Sequence, residues 1–540
     1  MKLLSRKIKA SATNVLVFWN FILVTAMFFG ISGAHIGSIT WSPGRDFWAM
    51  SIAISKLKYG LEGGLGYRTV SNELAKYLTP NGEDLDASQQ TKELVDKPAL
   101  IEKAIQAAIA IPPSTLKPGP IDSGMYITSA YDDFGYPEFI EYAFRLFGFH
   151  ALSTHYLYFL ILSASLLIFV LTFYKYELGI ILLTATLTAL FLVSSCPAVF
   201  NTFMPNFAAS RFLGSLAILP LLHLLIYIFR SGISTKKDIF FLVIQAILFA
   251  FTVRLRSSAS WMIIALFLTV FSIFFYHLPY RFVHIRKSFF SLMQVPEFSR
   301  SIKVLLLVVI ALTSFNMMEK LSLNKIYFSE ELGTSHVFWH NGYMGLTFHP
   351  HWKEQAPYPE LLNQTGDMVP FTLYEIYFKD LPPSSRYSSV TKLQKIRVYE
   401  KIVRNEYLTF AFKHPKYMFE MIFYYKPYCI LTNLHAVFLS VPIKAWLVSL
   451  VSVFGALILL RTGITRKEQF TAIKIALLIF AVSITPEIWA YPASFLIADP
   501  FWMLLVIVLM ITNLLLSYLL HRIYILKMRF YDVHLQEGQT

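Results

Sequence analysis

Ten separate apolar runs divide this chain, each near the roughly 20 residues a helix needs to cross a bilayer. They fall at Val15–Ile39 and near 152–173, 178–195, 212–229, 239–253, 259–276, 303–318, 443–460, 470–486 and 501–520. Within lipid every backbone N–H and C=O must be bonded inside its own segment, which leaves the helix as the fold for runs of this length. The expectation is an all-α polytopic membrane protein with about ten transmembrane helices and two long loops. Composition agrees. The chain is 56% hydrophobic and only 15% charged, with a mean hydropathy of +0.54, whereas soluble domains lie nearer half and a quarter.

Charge sets the expected orientation. Lys2, Arg6, Lys7 and Lys9 precede the first run, whose apolar core exceeds that of a signal peptide, so it reads as an uncleaved helix with a cytoplasmic N-terminus. Alternate short loops then carry Lys175; Arg230, Lys236 and Lys237; Arg281, Arg286, Lys287, Arg300 and Lys303; and Arg461, Arg466 and Lys467. The tail adds Arg522, Lys527 and Arg529. The positive-inside rule places these in the cytoplasm with both termini. The implied plan is a tail and first helix (1–41), a first extracytoplasmic loop with amphipathic helices (42–151) and helices two to seven (152–318). A second extracytoplasmic loop or small domain (319–440), helices eight to ten (441–520) and a cytoplasmic tail (521–540) complete it. The net charge of +14 belongs to these loops, and no basic soluble domain points to nucleic acid. A Walker motif, a dinucleotide fingerprint, a tandem repeat and the paired interrupted helices of secondary transporters are all missing from the sequence. The two cysteines, Cys196 and Cys429, are too few for a disulfide framework, although a single bridge between them is open.

Chemistry-bearing residues cluster at the expected outer boundary. Asp46 directly follows the first run and opens a segment in which Phe47, Met50, Ile54, Leu57 and Leu61 recur at helical spacing, with glycines at 60–66 to end it. Asp46 reads either as a general base or as the cap of this surface helix. Arg254 and Arg256 sit in the turn TVRLRSSAS, in a loop expected to be poor in cations. They either snorkel to headgroups or grip a phosphate, for which the planar guanidinium fork is suited. Arg45 and Lys56 are further candidates for phosphate contact. Asp132 and Asp133, between aromatics, and Glu138 close the first loop as acids able to meet an acceptor or a metal, or to form a solvated turn. In the second loop HVFWHNGYMGLTFHPH supplies His336, Trp339 and His340 as acceptor or sugar contacts. A divalent metal held by His336 and His340 with His349 or His351 is the one cofactor option, and Gly342 and Gly345 argue against the continuous helix it needs. Glu487 and Asp499 flank a further outer segment.

Four stretches resemble the GT-C class of integral-membrane glycosyltransferases, which includes protein O-mannosyltransferases and lipid A aminoarabinose transferases. They are RDFWAMSIAISKLKYGLEGG, the segment 135–171 around LFG, the basic turn LFAFTVRLRSSASWMIIALFL at 248–268, and HPKYMFEMIFYYKP at 414–427. The resemblance implies a polyprenyl-phosphate sugar donor and a lipid, glycan or protein acceptor. It also implies an acidic general base in the first outer loop, which by position is Asp46. The second acid that several members carry in the next outer loop has no counterpart in SSCPAVFNTFMPNFAAS, so Asp132, Asp133 or Glu138 would substitute. A bacterial inner membrane with a periplasmic active site follows from the resemblance, and the sequence carries nothing that separates it from the endoplasmic reticulum. Two other readings remain at this stage. One is a membrane glycan polymerase or ligase using second-loop Arg and His. The other is a non-enzymatic lipid or solute transporter, which calls for midplane charges that the runs hold few of.

Overall fold

The computed structural model describes residues 2–31, 45–61, 63–78, 98–116, 125–127, 134–196, 208, 212–230, 235–282, 295–328, 338–379, 396–460, 466–490 and 501–509, with a few single residues up to 522. It is an all-α membrane protein. The helices up to the second loop are α1 (Lys2–Ala26), α2 (Arg45–Tyr59), α3 (Arg68–Leu78), α4 (Pro98–Ile109), α5 (Gly135–Phe147), α6 (Ser153–Phe173), α7 (Glu177–Ser194), α8 (Ile218–Phe229), α9 (Lys236–Arg254), α10 (Trp261–Phe282) and α11 (Pro296–Ser322). Beyond it come α12 (Phe338–Met344), α13 (Met368–Tyr377), α14 (Ile396–Lys413), α15 (Pro415–Glu420), α16 (Lys426–Ser440), α17 (Ile443–Leu460), α18 (Arg466–Ser483) and α19 (Thr485–Trp489).

Among the described residues, five segments are long and apolar enough to cross a membrane: Ser11–Phe29, Ser153–Phe173, Glu177–Ser194, Ser258–Phe275 and Pro296–Ser322. The expected runs at 212–229 and 470–486 form the shorter apolar helices Leu213–Phe229 and Ala476–Trp489. The bundle they build has one large apolar core, threaded by a few polar ties. Trp19 Nε1 donates to Ser452 Oγ (2.6 Å), Asn20 Nδ2 to Thr184 Oγ1 (3.1 Å), Gln245 Nε2 to the Ser165 carbonyl (2.9 Å) and Trp502 Nε1 to the Thr186 carbonyl (2.8 Å). Lipid offers such groups no partner, so these bonds fix which helices pair and in what rotation. α7 packs between α1 and α17, and α9 lies along α11.

The first loop folds onto this bundle as a helical cap. α2 ends at Tyr59, where Gly60 takes a left-handed φ of 70° and its N–H bonds the Lys56 carbonyl (3.1 Å), as the glycine run led one to expect. α2 is buried more completely than a surface helix, because α5 covers one flank and α3 another. A two-stranded antiparallel ribbon, β1 (Leu65–Tyr67) with β2 (Met125–Ile127), closes the loop. Tyr59 Oη ties α2 to the end of α4 by donating to the Ala108 carbonyl (2.6 Å).

Residues 338–425 have a core of their own, built on Tyr343, Trp352, Tyr374, Tyr399, Phe410 and Tyr417. We call this the aromatic unit. Its segment 345–348 is a 3-10 helix, so α12 runs through Gly342 and stops before Gly345. A side chain at Gly342 would lie 2.9 Å from Trp489 Cζ2, which gives that glycine a packing reason rather than a helix-breaking one.

Candidate functional site

Two glycine contacts bring three charged side chains together at one end of the bundle. Gly63, at φ 79°, lies against the chain just after α11: its carbonyl accepts from the Asn324 N–H (3.0 Å), and a Cβ there would lie 2.6 Å from Asn324 N. Tyr327 Oη adds a bond to the Gly64 carbonyl (2.8 Å). This fixes the last turn of α11, which carries Glu319. Gly135, the first residue of α5, presses on the turn that ends α9, where a Cβ would lie 2.4 Å from the Arg254 carbonyl. That contact sets Glu138, one turn along α5, beside Arg254. Only glycine permits so close a backbone approach.

Arg254 Nη2 then lies 2.5 Å from Glu319 Oε2 and 3.4 Å from Glu138 Oε2, and its guanidinium sits over the Phe315 ring at 5.3 Å. One cation thus faces two carboxylates in a half-buried site. Burial raises the Glu138 carboxyl above the usual range; Arg254 pulls it down and Glu319 pushes it further up. Nearby, Glu141 of α5 takes Lys56 of α2 (2.8 Å) and Arg145 (2.7 Å) on its two oxygens. Arg256 is buried just beyond Arg254, at the start of the 3-10 turn 257–260.

These positions can be set against the residues singled out from sequence. Arg254, Glu138 and Lys56 converge where α2, α5, α9 and α11 meet, with Arg256 two residues beyond Arg254. Arg254 and Lys56, expected as phosphate contacts, already engage carboxylates. Asp46 is the second residue of α2 and Arg45 the first, but their side chains lie outside the described residues, as do Asp132, Asp133, His336 and Asp499. Sequence reasoning missed Glu319 and Glu141. Glu319 had a signal, since an acid one residue past the apolar run 303–318 stands at membrane depth and calls for a partner.

The aromatic unit holds a second polar constellation. His340 is buried, with Nδ1 at 2.5 Å from Tyr399 Oη and Nε2 at 3.1 Å from Asp367 Oδ1. Glu400 accepts the N–H groups of Trp339 (2.8 Å) and His340 (3.0 Å), capping α12 from a different helix. His349 Nδ1 accepts from the His351 N–H (3.1 Å), so its proton is on Nε2, which donates to Glu420 (3.2 Å). The His349 ring stacks on Tyr417 at 3.9 Å, and burial holds its pKa below the ordinary value against the pull of Glu420. Among the described residues no group of three His, Cys, Asp or Glu is placed to hold a metal. Trp339 packs on Tyr407 and Trp489, and Phe338 stacks on Trp489 at 4.4 Å. Lys426, also missed from sequence, donates to the carbonyls of Ile488 (2.8 Å), Trp489 (3.0 Å) and Ala490 (2.8 Å), so its three protons close the end of α19. Glu487 is buried in that same helix. Cys196 and Cys429 are both free thiols; Cys196 bonds Ser440 Oγ (2.8 Å) rather than a second sulfur.

Comparisons with protein-family models, with curated proteins and with solved structures found no match to this chain.

Proposed function

We propose that this chain is a GT-C-like membrane glycosyltransferase. It moves a sugar from a polyprenyl-phosphate donor to a lipid, glycan or protein acceptor at the extracytoplasmic face of a bacterial inner membrane. About ten helices span, and both termini are cytoplasmic. The observation that carries the reading is the Arg254 site, a guanidinium at the end of α9, beneath the first-loop cap and beside two carboxylates. A half-buried charge cluster is weak evidence for stability and a candidate functional site.

The chemistry needs two things there. The acceptor oxygen forms a bond to the anomeric carbon while the bond from that carbon to the phosphate oxygen breaks, leaving its electron pair on the lipid phosphate. A cation must meet that departing anion. A carboxylate must take the acceptor proton. Arg254 meets the first need, backed by Arg256, Arg45 and Lys56; Glu319 and Glu141 hold two of these cations until a phosphate competes for them. Asp46, on the first turn of α2, meets the second, with Glu138 beside Arg254 as the other carboxylate, its proton affinity raised by burial. Asp132 and Asp133 directly precede α5 and belong to the same approach for an acceptor. His340 and Trp339 are packed into the aromatic unit and shape its wall toward the acceptor.

The test is release of polyprenyl phosphate from a panel of polyprenyl-phosphate sugars by membranes holding the full chain. Arg254→Ala should abolish release, and either Asp46→Asn or Glu138→Gln should do the same. Turnover that survives all three substitutions would remove this reading.

A further inference from the structure

The helix before α17 has a construction that the site does not use. From Pro415 to Ser440 the chain is one continuous helical rod, α15 and α16 joined by a π-helical turn at Met421–Tyr425. Its buried residues are Tyr417, Met421, Lys426, Ile430, Leu434 and Val437. The step from Met421 to Lys426 is five residues and every other step is three or four. The π turn absorbs the extra residue, so the buried stripe stays on one side along the whole rod. The opposite side therefore stays in register as well. It carries Phe419, Phe423, Tyr428, Leu431 and Leu439, each 63–69% exposed.

A face this apolar is out of place in water, and two observations say what covers it. The rod meets the first part of α17, Ile443–Ala456, at 92°. α17 packs along α1 and α7, both of which contain segments long and apolar enough to cross the membrane, and it presents Ile443, Leu447, Leu450 and Phe454 outward. If α17 follows the bilayer normal with them, a rod at right angles to it lies in the bilayer plane. Exposed apolar residues come up to the bend from both sides, Leu439 before it and Ile443 after it. The charge pattern fits the same occupant: no acidic residue occurs from Met421 to Leu460, while Lys413 and Lys416 are exposed at the near end.

We propose that Pro415–Ser440 is an in-plane membrane helix, with its aromatic face seated among lipid headgroups and upper acyl chains, and that it rests the aromatic unit on the bilayer surface. The reading is independent of any glycosyl transfer. Aromatic side chains favour this depth, where the ring is apolar and its surroundings are half wet. The rod's buried side holds the aromatic unit through Tyr417 and α19 through Lys426, so its depth in the membrane fixes the height of both.

The test uses the full chain in vesicles of phosphatidylethanolamine and phosphatidylglycerol. Nitroxide labels are placed singly at Phe419→Cys, Phe423→Cys, Leu431→Cys and Leu439→Cys in a Cys429→Ser background, where the remaining Cys196 is buried. Leu447→Cys on α17 marks lipid and Lys353→Cys, exposed on the aromatic unit, marks water. Oxygen collisions should exceed those of a water-soluble nickel chelate at all four face positions, as at Leu447, with the opposite ratio at Lys353. Nickel access at the four positions equal to that at Lys353 would overturn the proposal. So would low access to both reagents with spin–spin broadening, which would mean that a second copy covers the face.

Discussion

The Arg254 site and the His340–His349 constellation are both polar and held by several helices, the first half-buried and the second buried, yet they differ in electrostatic plan. At Arg254 formal charges meet: one guanidinium faces two carboxylates, and a second pair of cations shares Glu141. In the aromatic unit the central groups are imidazoles wedged among phenols, with His349 held below its ordinary pKa by burial. A cluster of ions is costly to desolvate and responds to any further charge that enters. The imidazoles of the aromatic unit meet their carboxylates, Asp367 and Glu420, at its edge, where those acids reach solvent. The difference is between formal charges gathered between helices and aromatic packing that keeps its charges at the rim.

The sharpest way to break that contrast is to remove the guanidinium. Arg254→Ala should lower glycosyl transfer by about 10²-fold or more, the scale at which one electrostatic donor supports a charged transition state, while the folded fraction of the aromatic unit by limited proteolysis stays unchanged. Loss of the aromatic unit together with transfer would mean that the two regions form one cooperative body.

Glycine substitutions separate them next. A Cβ at Gly345 would lie 2.0 Å from the Ala490 carbonyl and 2.5 Å from Lys426 Nζ, both of which are held in place by other bonds. Gly345→Ala should destabilise the aromatic unit by roughly 1–3 kcal/mol, as overpacking does, read as a lower melting transition in detergent. Gly135→Ala should show the reverse balance, displacing Glu138 from Arg254 and reducing transfer with little change in that transition.

A similar effect is expected at Tyr399→Phe, which removes the phenol bonded to His340 Nδ1. Leaving that buried nitrogen without its partner should cost about 1–3 kcal/mol at most, seen in melting and absent from transfer rates at permissive temperature.

The pH response is the most delicate check. Because burial depresses the His349 pKa, the unfolded chain takes up a proton below about pH 6.5 that the native imidazole declines. Stability of the aromatic unit should therefore be intact above that pH and fall as pH drops through it, until the folded ring protonates too. His349→Gln should flatten this acid limb. A melting temperature that does not change with pH in the parent chain would refute the assigned protonation.

The membrane class of this protein was legible from the sequence, because long uncharged runs leave lipid-embedded helices as the workable outcome. The turn at Gly60 was legible too, from glycine chemistry, and Arg254 stood out as a cation where the loop pattern allows few, one that would need a partner. Partners were not. That Arg254 would face Glu138 and Glu319, that Lys56 would be taken by Glu141, and that Lys426 would close a helix some sixty residues away depend on how α2, α5, α9, α11 and α19 pack. The stretch before 440 shows the same division. Its apolar residues were visible, but a hydropathy profile has no term for direction, and it took the 92° bend and the π turn to decide which way its aromatic face looks. Local chemistry along the chain chooses the elements; distances between residues remote in sequence, which set the ion pairs of Arg254 and Lys56, exist only once those elements have packed.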